Sequence, residues 1–176
     1  MKIDQSYLIP VEKGQAVSPG WRTPDGKPVG VTWHWTATWN LKACSKILGG
    51  AKAYRKGKAS AHYGVGRSLE EGIHQYVSLD NRSWHAGAGQ QVRWDGKPCK
   101  YKGRWWSGAR TTIGIETVNI GYARKKVPKK DDWILAVSSD CKHEMWIQPW
   151  TAEQMELMIF LGKHIVEKFP HITWED

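Results

Sequence analysis

Two residues stand where their chemistry is costly. His34 lies in Val31-Thr32-Trp33-His34-Trp35-Thr36-Ala37-Thr38, and Glu116 in Thr111-Thr112-Ile113-Gly114-Ile115-Glu116-Thr117-Val118-Asn119. Each ionisable side chain sits in a run of apolar and β-branched residues, where burial without purpose is expensive. Neutral imidazole is a common zinc ligand, and a carboxylate outside the ligand set can act as base for a zinc-bound water. On its own strand alone, His34 reads first as a packed core histidine and only second as a ligand. Catalytic zinc takes three protein ligands and keeps an open position. Six more histidines are present: His62, His74, His85, His143, His164 and His171. Spacing alone does not choose among them. His62, His74 and His164 read as packing residues. His85, inside the cluster Trp84-His85-Ala86-Gly87, reads equally as packing or as substrate lining.

The elements that must position these residues follow from periodicity and turn chemistry. Residues 1–28 read as a lead-in loop, punctuated by Pro10, Pro19, Gly20, Pro24, Gly26 and Pro28. A strand over 29–36 carries His34. A helix is expected from Leu41 to about Arg55, with Leu41, Cys44, Ile47 and Leu48 at helical spacing and Gly49-Gly50 weakening its middle. Ala61–Arg67 and Gly72–Val77 alternate as a hairpin across the turn Ser68–Glu71. Asp80-Asn81-Arg82 reads as a turn. Residues 88–110 read as a long irregular loop in which Arg93, Lys97, Lys100, Lys102, Arg104 and Arg110 interleave with Trp94, Tyr101, Trp105 and Trp106. A loop of that length in a compact domain suggests a ligand-contacting lid. Thr111–Asn119 is the strand of Glu116. A second excursion over 120–149 holds the charge run from Arg124 to Asp132, read as a solvated turn. Thr151 opens the clearest helix, with Gln154 completing a capping box. Its expected apolar stripe is Met155, Met158, Ile159, Gly162, Ile165, Val166 and Phe169, and Pro170 stops it. Ile172-Thr173-Trp174 reads as the start of another strand. The sum is an α/β fold, a mixed central sheet flanked by helices, in one domain spanning 1–176.

Composition narrows the partners. Of the 176 residues, 40% are hydrophobic and 24% charged, ordinary values for a folded chain. Trp is in excess, with 12 against 2 Phe. The formal net charge is +9, which predicts attraction to a polyanion: nucleic acid, anionic membrane or an anionic wall polymer. The three cysteines, Cys44, Cys99 and Cys141, show no C-x-x-C spacing and read as free thiols, although Cys99 and Cys141 could pair in an oxidising space. Neither a dinucleotide-binding nor a phosphate-loop glycine motif is present, so nucleotide binding has no support. Met1–Gln5 lacks the apolar run of a signal peptide and no stretch is long enough to span a bilayer. The expectation is synthesis in the cytoplasm, with lysis or dedicated export needed for action outside, and no membrane insertion.

Four segments occur in a telling order: Val31–Thr38, Ser60-Ala61-His62-Tyr63-Gly64-Val65, Asp80–Gly87 and Thr112-Ile113-Gly114-Ile115-Glu116. Together they resemble the zinc-dependent N-acetylmuramoyl-L-alanine amidases of type 2. That family includes AmpD-like and AmiD-like amidases, many phage endolysins and the peptidoglycan-recognition proteins. The segment Gln148-Pro149-Trp150-Thr151 is similar to the AmiD-like branch. The likeness runs from about residue 29 to 173. It implies cleavage of the amide between N-acetylmuramic acid and L-alanine of the peptidoglycan stem peptide. It implies Zn2+ as cofactor, with His34 as first ligand, Glu116 as catalytic acid/base, and Trp84 and His85 lining the substrate groove. Some relatives carry a tyrosine just before the histidine matching His62. Here Ala61 stands there, which leaves the acid/base task to Glu116.

In the family the other two zinc ligands follow the long helix, and this sequence stops at Asp176, about where that segment would begin. His171 comes too early to be one of them. The alternatives are a sequence that ends before its domain does and a protein that has lost the site. His34 and Glu116, which matter only with a metal, favour the first. The expected protein is thus a peptidoglycan amidase, lytic or recycling, monomeric, with peptidoglycan or muropeptide as partner. Its rivals are a non-catalytic peptidoglycan-binding module on the same scaffold and, last, a basic nucleic-acid-binding protein.

Overall fold

The computed structural model describes residues 1–12, 15–49, 59–86, 100–101, 104–105, 108–123, 133–137 and 144–173. In chain order the elements are β1 (Ile3–Asp4), β2 (Val17–Pro19), β3 (Gly30–Trp35), α1 (Leu41–Leu48), β4 (Tyr63–Val65), β5 (Ile73–Gln75), β6 (Asn81–Ser83), β7 (Lys100–Tyr101), β8 (Arg104–Trp105), α2 (Gly108–Thr111), β9 (Thr112–Thr117), β10 (Tyr122–Ala123), β11 (Ile134–Val137), β12 (Glu144–Ile147) and α3 (Ala152–Lys168). The main sheet has the order β1-β5-β4-β9-β3. It is mixed: β3 and β4 run parallel to β9, β1 parallel to β5, and β4 antiparallel to β5. The expected mixed sheet flanked by helices is the observed architecture.

Strand alternation divides this sheet into two unlike faces. Register pairs Val31 with Ile113, Trp33 with Ile115, and Tyr63 with Ile115. Val31, Ile113, Ile115, Tyr63, Val65 and Ile73 pack against Leu157, Leu161 and Ile165 of α3 in one core cluster. The other face carries Thr32, His34, Gly114, Glu116 and Gly64, with His34 and Gly64 both in register with Glu116. At the β5 end of this face α1 packs down through Leu41, Cys44 and Leu48, together with Tyr76. One face is therefore oil and the other is chemistry.

Several local expectations change. α1 ends at Leu48, not near Arg55, because Gly49 caps it in an extended conformation (φ −116°) with its amide on the Ser45 carbonyl. The lead-in 1–28 is not all loop: β1 adds an edge to the main sheet and β2 pairs with β6. That second pairing makes Asn81–Ser83 a strand where a turn was expected. The stretch 88–110 contains the short hairpin β7–β8 and the turn of α2. The excursion over 120–149 contains a three-stranded sheet, β10-β12-β11. Ile172 is buried in the core beside α3, and the rest of the strand expected to start there, from Trp174 on, lies outside the described residues. Lys97, Cys99, Cys141, His143 and the run 124–132 lie outside the described residues. Cys44 is a free, buried thiol. No helix among the described residues is long and apolar enough to cross a membrane.

α3 starts as expected, with Thr151 Oγ1 accepting from the Gln154 amide at 3.0 Å. The Gln154 side chain does not close the box. It donates instead to the Val118 carbonyl at 2.9 Å, tying the helix to the end of β9. The buried stripe is Gln154, Leu157, Leu161, Gly162 and Ile165, while Met155 and Ile159 are exposed. The helix is apolar on more than one side, and the sheet selects the side with the 157-161-165 spacing. Leu161→Ala is expected to cost about 3 kcal/mol in denaturant unfolding, and Met155→Ala less than about 0.5 kcal/mol. Equal costs would contradict the packing.

Candidate active site

His34 reaches the end of edge strand β3, where the chain turns away through Ala37. That residue holds a left-handed backbone (φ 51°) unusual for a side chain with a Cβ. The turn is supported by Thr36 Oγ1, which accepts from the Thr38 amide at 3.1 Å. Glu116 stands beside His34 on β9, so the parallel pairing delivers imidazole and carboxyl to the same face at the same level.

The third member arrives from outside the sheet. His85 follows β6, and its ring lies against Gly114, where a Cβ would fall 2.5 Å from Cδ2 and nearer still to Cγ. The missing side chain of Gly114 is the space the imidazole fills. His85 Nε2 faces the carbonyls of Thr112 and Gly108 at 3.1 and 3.2 Å. Both are acceptors, so Nε2 carries the proton and Nδ1 is left as an acceptor. His34 Nε2–H then donates to His85 Nδ1 at 3.0 Å. Burial, followed by the neighbouring His34, pushes the His85 imidazole down to about 4. Burial also lowers His34. Both rings are neutral near pH 7. Burial acts in the opposite direction on Glu116 and pushes its carboxyl up to about 7. A carboxyl poised there exchanges a proton readily at neutral pH.

His62 supports this arrangement from behind. Its Nε2–H donates to the Asn81 carbonyl at 3.0 Å, and Nδ1 accepts from the Gly114 amide at 3.0 Å and from Ser83 Oγ at 2.8 Å. Trp21 stacks on the ring. Full burial pushes it down to about 3, so it stays neutral and serves as a fixed bracket between β6 and β9. His74 makes a separate cluster with Ser45 Oγ at 2.7 Å, Asp4 at 3.9 Å and a stacked Tyr7. His171 donates to the Pro28 carbonyl, and His164 is half-buried on α3.

Of the residues singled out in the sequence, the structure gathers His34, Glu116 and His85. Trp84 is turned the other way: its indole donates to Ser18 Oγ at 3.0 Å on β2 and is 43% exposed. Gly87 and nearly all of the basic–aromatic stretch lie outside the described residues. His62 was read as a packing residue, as found, but its bracketing role and the two carbonyls that orient His85 were not foreseen. Only the glycine of Ile113-Gly114-Ile115 hinted that something must approach β9 closely.

The two imidazoles and one carboxyl share a face, but no group of three or more ligand-type side chains able to hold an ion occurs among the described residues. A catalytic zinc takes three protein ligands. The described residues offer His34 as one neutral imidazole ligand and do not complete the set.

Comparisons with known proteins bear on this geometry. Residues 24–176 match the family model described as N-acetylmuramoyl-L-alanine amidase. Among solved structures, the fold is similar to the N-acetylmuramyl-L-alanine amidase AmiD from E. coli, solved in complex with the substrate anhydro-N-acetylmuramic acid-L-Ala-D-gamma-Glu-L-Lys. The TM-score is 0.52 and the identity 24%, over 84% of this chain and 45% of that one. The chain thus spans less than half the length of that protein. No curated protein matches.

Proposed function

The chain belongs to the N-acetylmuramoyl-L-alanine amidase family, and from that membership we propose that it hydrolyses the amide between N-acetylmuramic acid and L-alanine in peptidoglycan. The observation that supports this reading best is the pairing of Glu116 with His34 on one sheet face, with the carboxyl raised to about 7 by burial. Glu116 accepts a proton from the attacking water and delivers it to the leaving amine of L-alanine. Its half-buried position limits competing solvent and lets the proton pass at neutral pH. His85, fixed by two carbonyls, orients His34 through the Nδ1 contact and lines the space above Gly114. The reading includes zinc, with His34 among its ligands; when bound, the ion supplies an acidified water and a polarised carbonyl. The bound muropeptide of the AmiD structure is the model for the substrate class.

Mass spectrometry of a muropeptide digest tests the proposal. Expected products are a glycan fragment ending in free N-acetylmuramic acid and a peptide with a new L-alanine N-terminus, both lost on treatment with a chelator. Binding without cleavage by zinc-loaded protein would replace the enzyme with a peptidoglycan-binding module on the same scaffold. Cleavage that survives chelation would remove zinc and keep the amidase.

A further inference from the structure

A second charged grouping lies away from His34 and Glu116. β2 and β6 pair so that Ser18 faces Arg82. The Arg82 side chain folds back along this ladder, its Nε donating to the Gly20 carbonyl at 2.5 Å and its Nη2 to the Pro19 carbonyl at 3.4 Å. Two residues past Gly20, the Arg22 amide donates to the Arg110 carbonyl at 3.4 Å. Three arginines from three separate segments are thereby drawn together. Arg22 and Arg110 are exposed. Among the described residues neither donates a side-chain hydrogen bond, and none of the three is paired with a carboxylate. Burial, then the charges of Arg22 and Arg110, hold the Arg82 guanidinium below its ordinary value, so the three like charges act on one another.

We propose that Arg22, Arg82 and Arg110 form an anion site for phosphate groups, and that its ligand is a phosphodiester polymer of the cell wall. The polymer assignment rests on the proposed amidase function; the anion site does not. Guanidinium presents a planar fork that fits phosphate oxygens in pairs. One isolated carboxylate is answered by one such fork, whereas three neighbouring arginines suit a ligand with repeated charge. The place also argues against the reacting end of the substrate. Arg110 precedes β9, and from Thr112 to Glu116 the strand rises about 13 Å. Arg22 lies ahead of the residues 24–176 that match the family model. The net charge of +9 adds long-range attraction to the same kind of ligand.

The test is binding to soluble poly(glycerol phosphate), followed by tryptophan fluorescence across a salt series, using the full chain. Wild type is expected to bind with affinity that falls steeply with salt. R22Q/R110Q is expected to bind at least tenfold more weakly and to flatten the log–log salt slope by roughly 1 to 2. K42Q/K46Q removes the same charge from the exposed side of α1 and should bind nearly as wild type. Wild-type affinity in R22Q/R110Q, or an equal loss in K42Q/K46Q, overturns the site. Equally tight binding of poly-glutamate overturns the preference for phosphate. Competition by inorganic phosphate at micromolar concentration assigns the site to free phosphate instead of a polymer. Tighter binding of duplex DNA overturns the wall assignment in favour of nucleic acid. Absence of muropeptide cleavage with polymer binding intact strikes the amidase reading and leaves the anion site standing.

Discussion

Glu116→Gln is expected to lower kcat/KM on muropeptides by about 10²–10⁴, the usual contribution of a positioned proton-transfer group, while making the metal-free protein more stable above pH 7. The two effects share one cause. The amide keeps the shape of the carboxyl but cannot take a proton from water. Burial that raises the carboxyl to about 7 from an ordinary 4.5 also makes its ionised form costly in the fold. The folded state therefore holds a proton between pH 4.5 and 7 that the unfolded chain has released, and stability falls as pH rises through that window. Below pH 4.5 both states are protonated and the penalty is absent. Above pH 7 it is fully present, at about 2 kcal/mol for a carboxyl that keeps some solvent contact. Thermal unfolding of chelator-treated protein should thus show matching Tm values for wild type and variant at pH 4. At pH 8 the variant should melt higher by several degrees, given roughly 2–4 °C per kcal/mol for a chain of this size. A variant that is fully active refutes the proton-transfer role. A variant that is inactive and also less stable at pH 8 makes Glu116 a packing residue.

How much of this was visible beforehand depends on the reach of the interaction concerned. β3, β9 and α3 were legible because each is long and its pattern is written locally: β-branched runs for the strands, a capped and Pro-terminated period for the helix. Both site residues on those strands could be named for the same reason. β1 and β2 were not legible, since Ile3–Asp4 and Val17–Pro19 are strands only because β5 and β6 offer them partners 62 to 70 residues away. The helix face was misjudged at Met155 and Ile159 because α3 has apolar residues on several sides. The sheet of β10, β11 and β12 escaped notice because Ile134, Leu135, Val137, Trp146 and Ile147 remain exposed, so no half-buried alternation marks it. His85 could be suspected from its neighbours, but not oriented. Its tautomer is set by the Thr112 and Gly108 carbonyls, and carbonyl direction leaves no trace in side-chain identity.

Gly114→Ala concentrates these long-range dependencies in one methyl group. The added Cβ would overlap Cγ of His85 and lie 2.6 Å from its Cβ. Those atoms are at the root of the side chain, so the ring cannot swing clear on a distant torsion. The imidazole must leave, giving up its contacts to Thr112, Gly108 and His34. Overpacking costs about 1–3 kcal/mol, and each lost hydrogen bond about 1 kcal/mol. A total destabilisation of about 4 kcal/mol is expected in urea unfolding. With His34 unsupported, activity on muropeptides should drop by at least about 10²-fold, on the scale of a small misplacement of a reacting group. Instability alone could mimic that loss, so a double-mutant cycle separates the causes. His85→Ala removes the ring that the methyl strikes. In that background Gly114→Ala should cost less than about 1 kcal/mol, because the methyl then occupies vacated space. Additive penalties would show that the alanine damages β9 itself, for instance through the amide that donates to His62 Nδ1 at 3.0 Å. Strong coupling would establish that this glycine is kept empty for the imidazole and that the site depends on that emptiness.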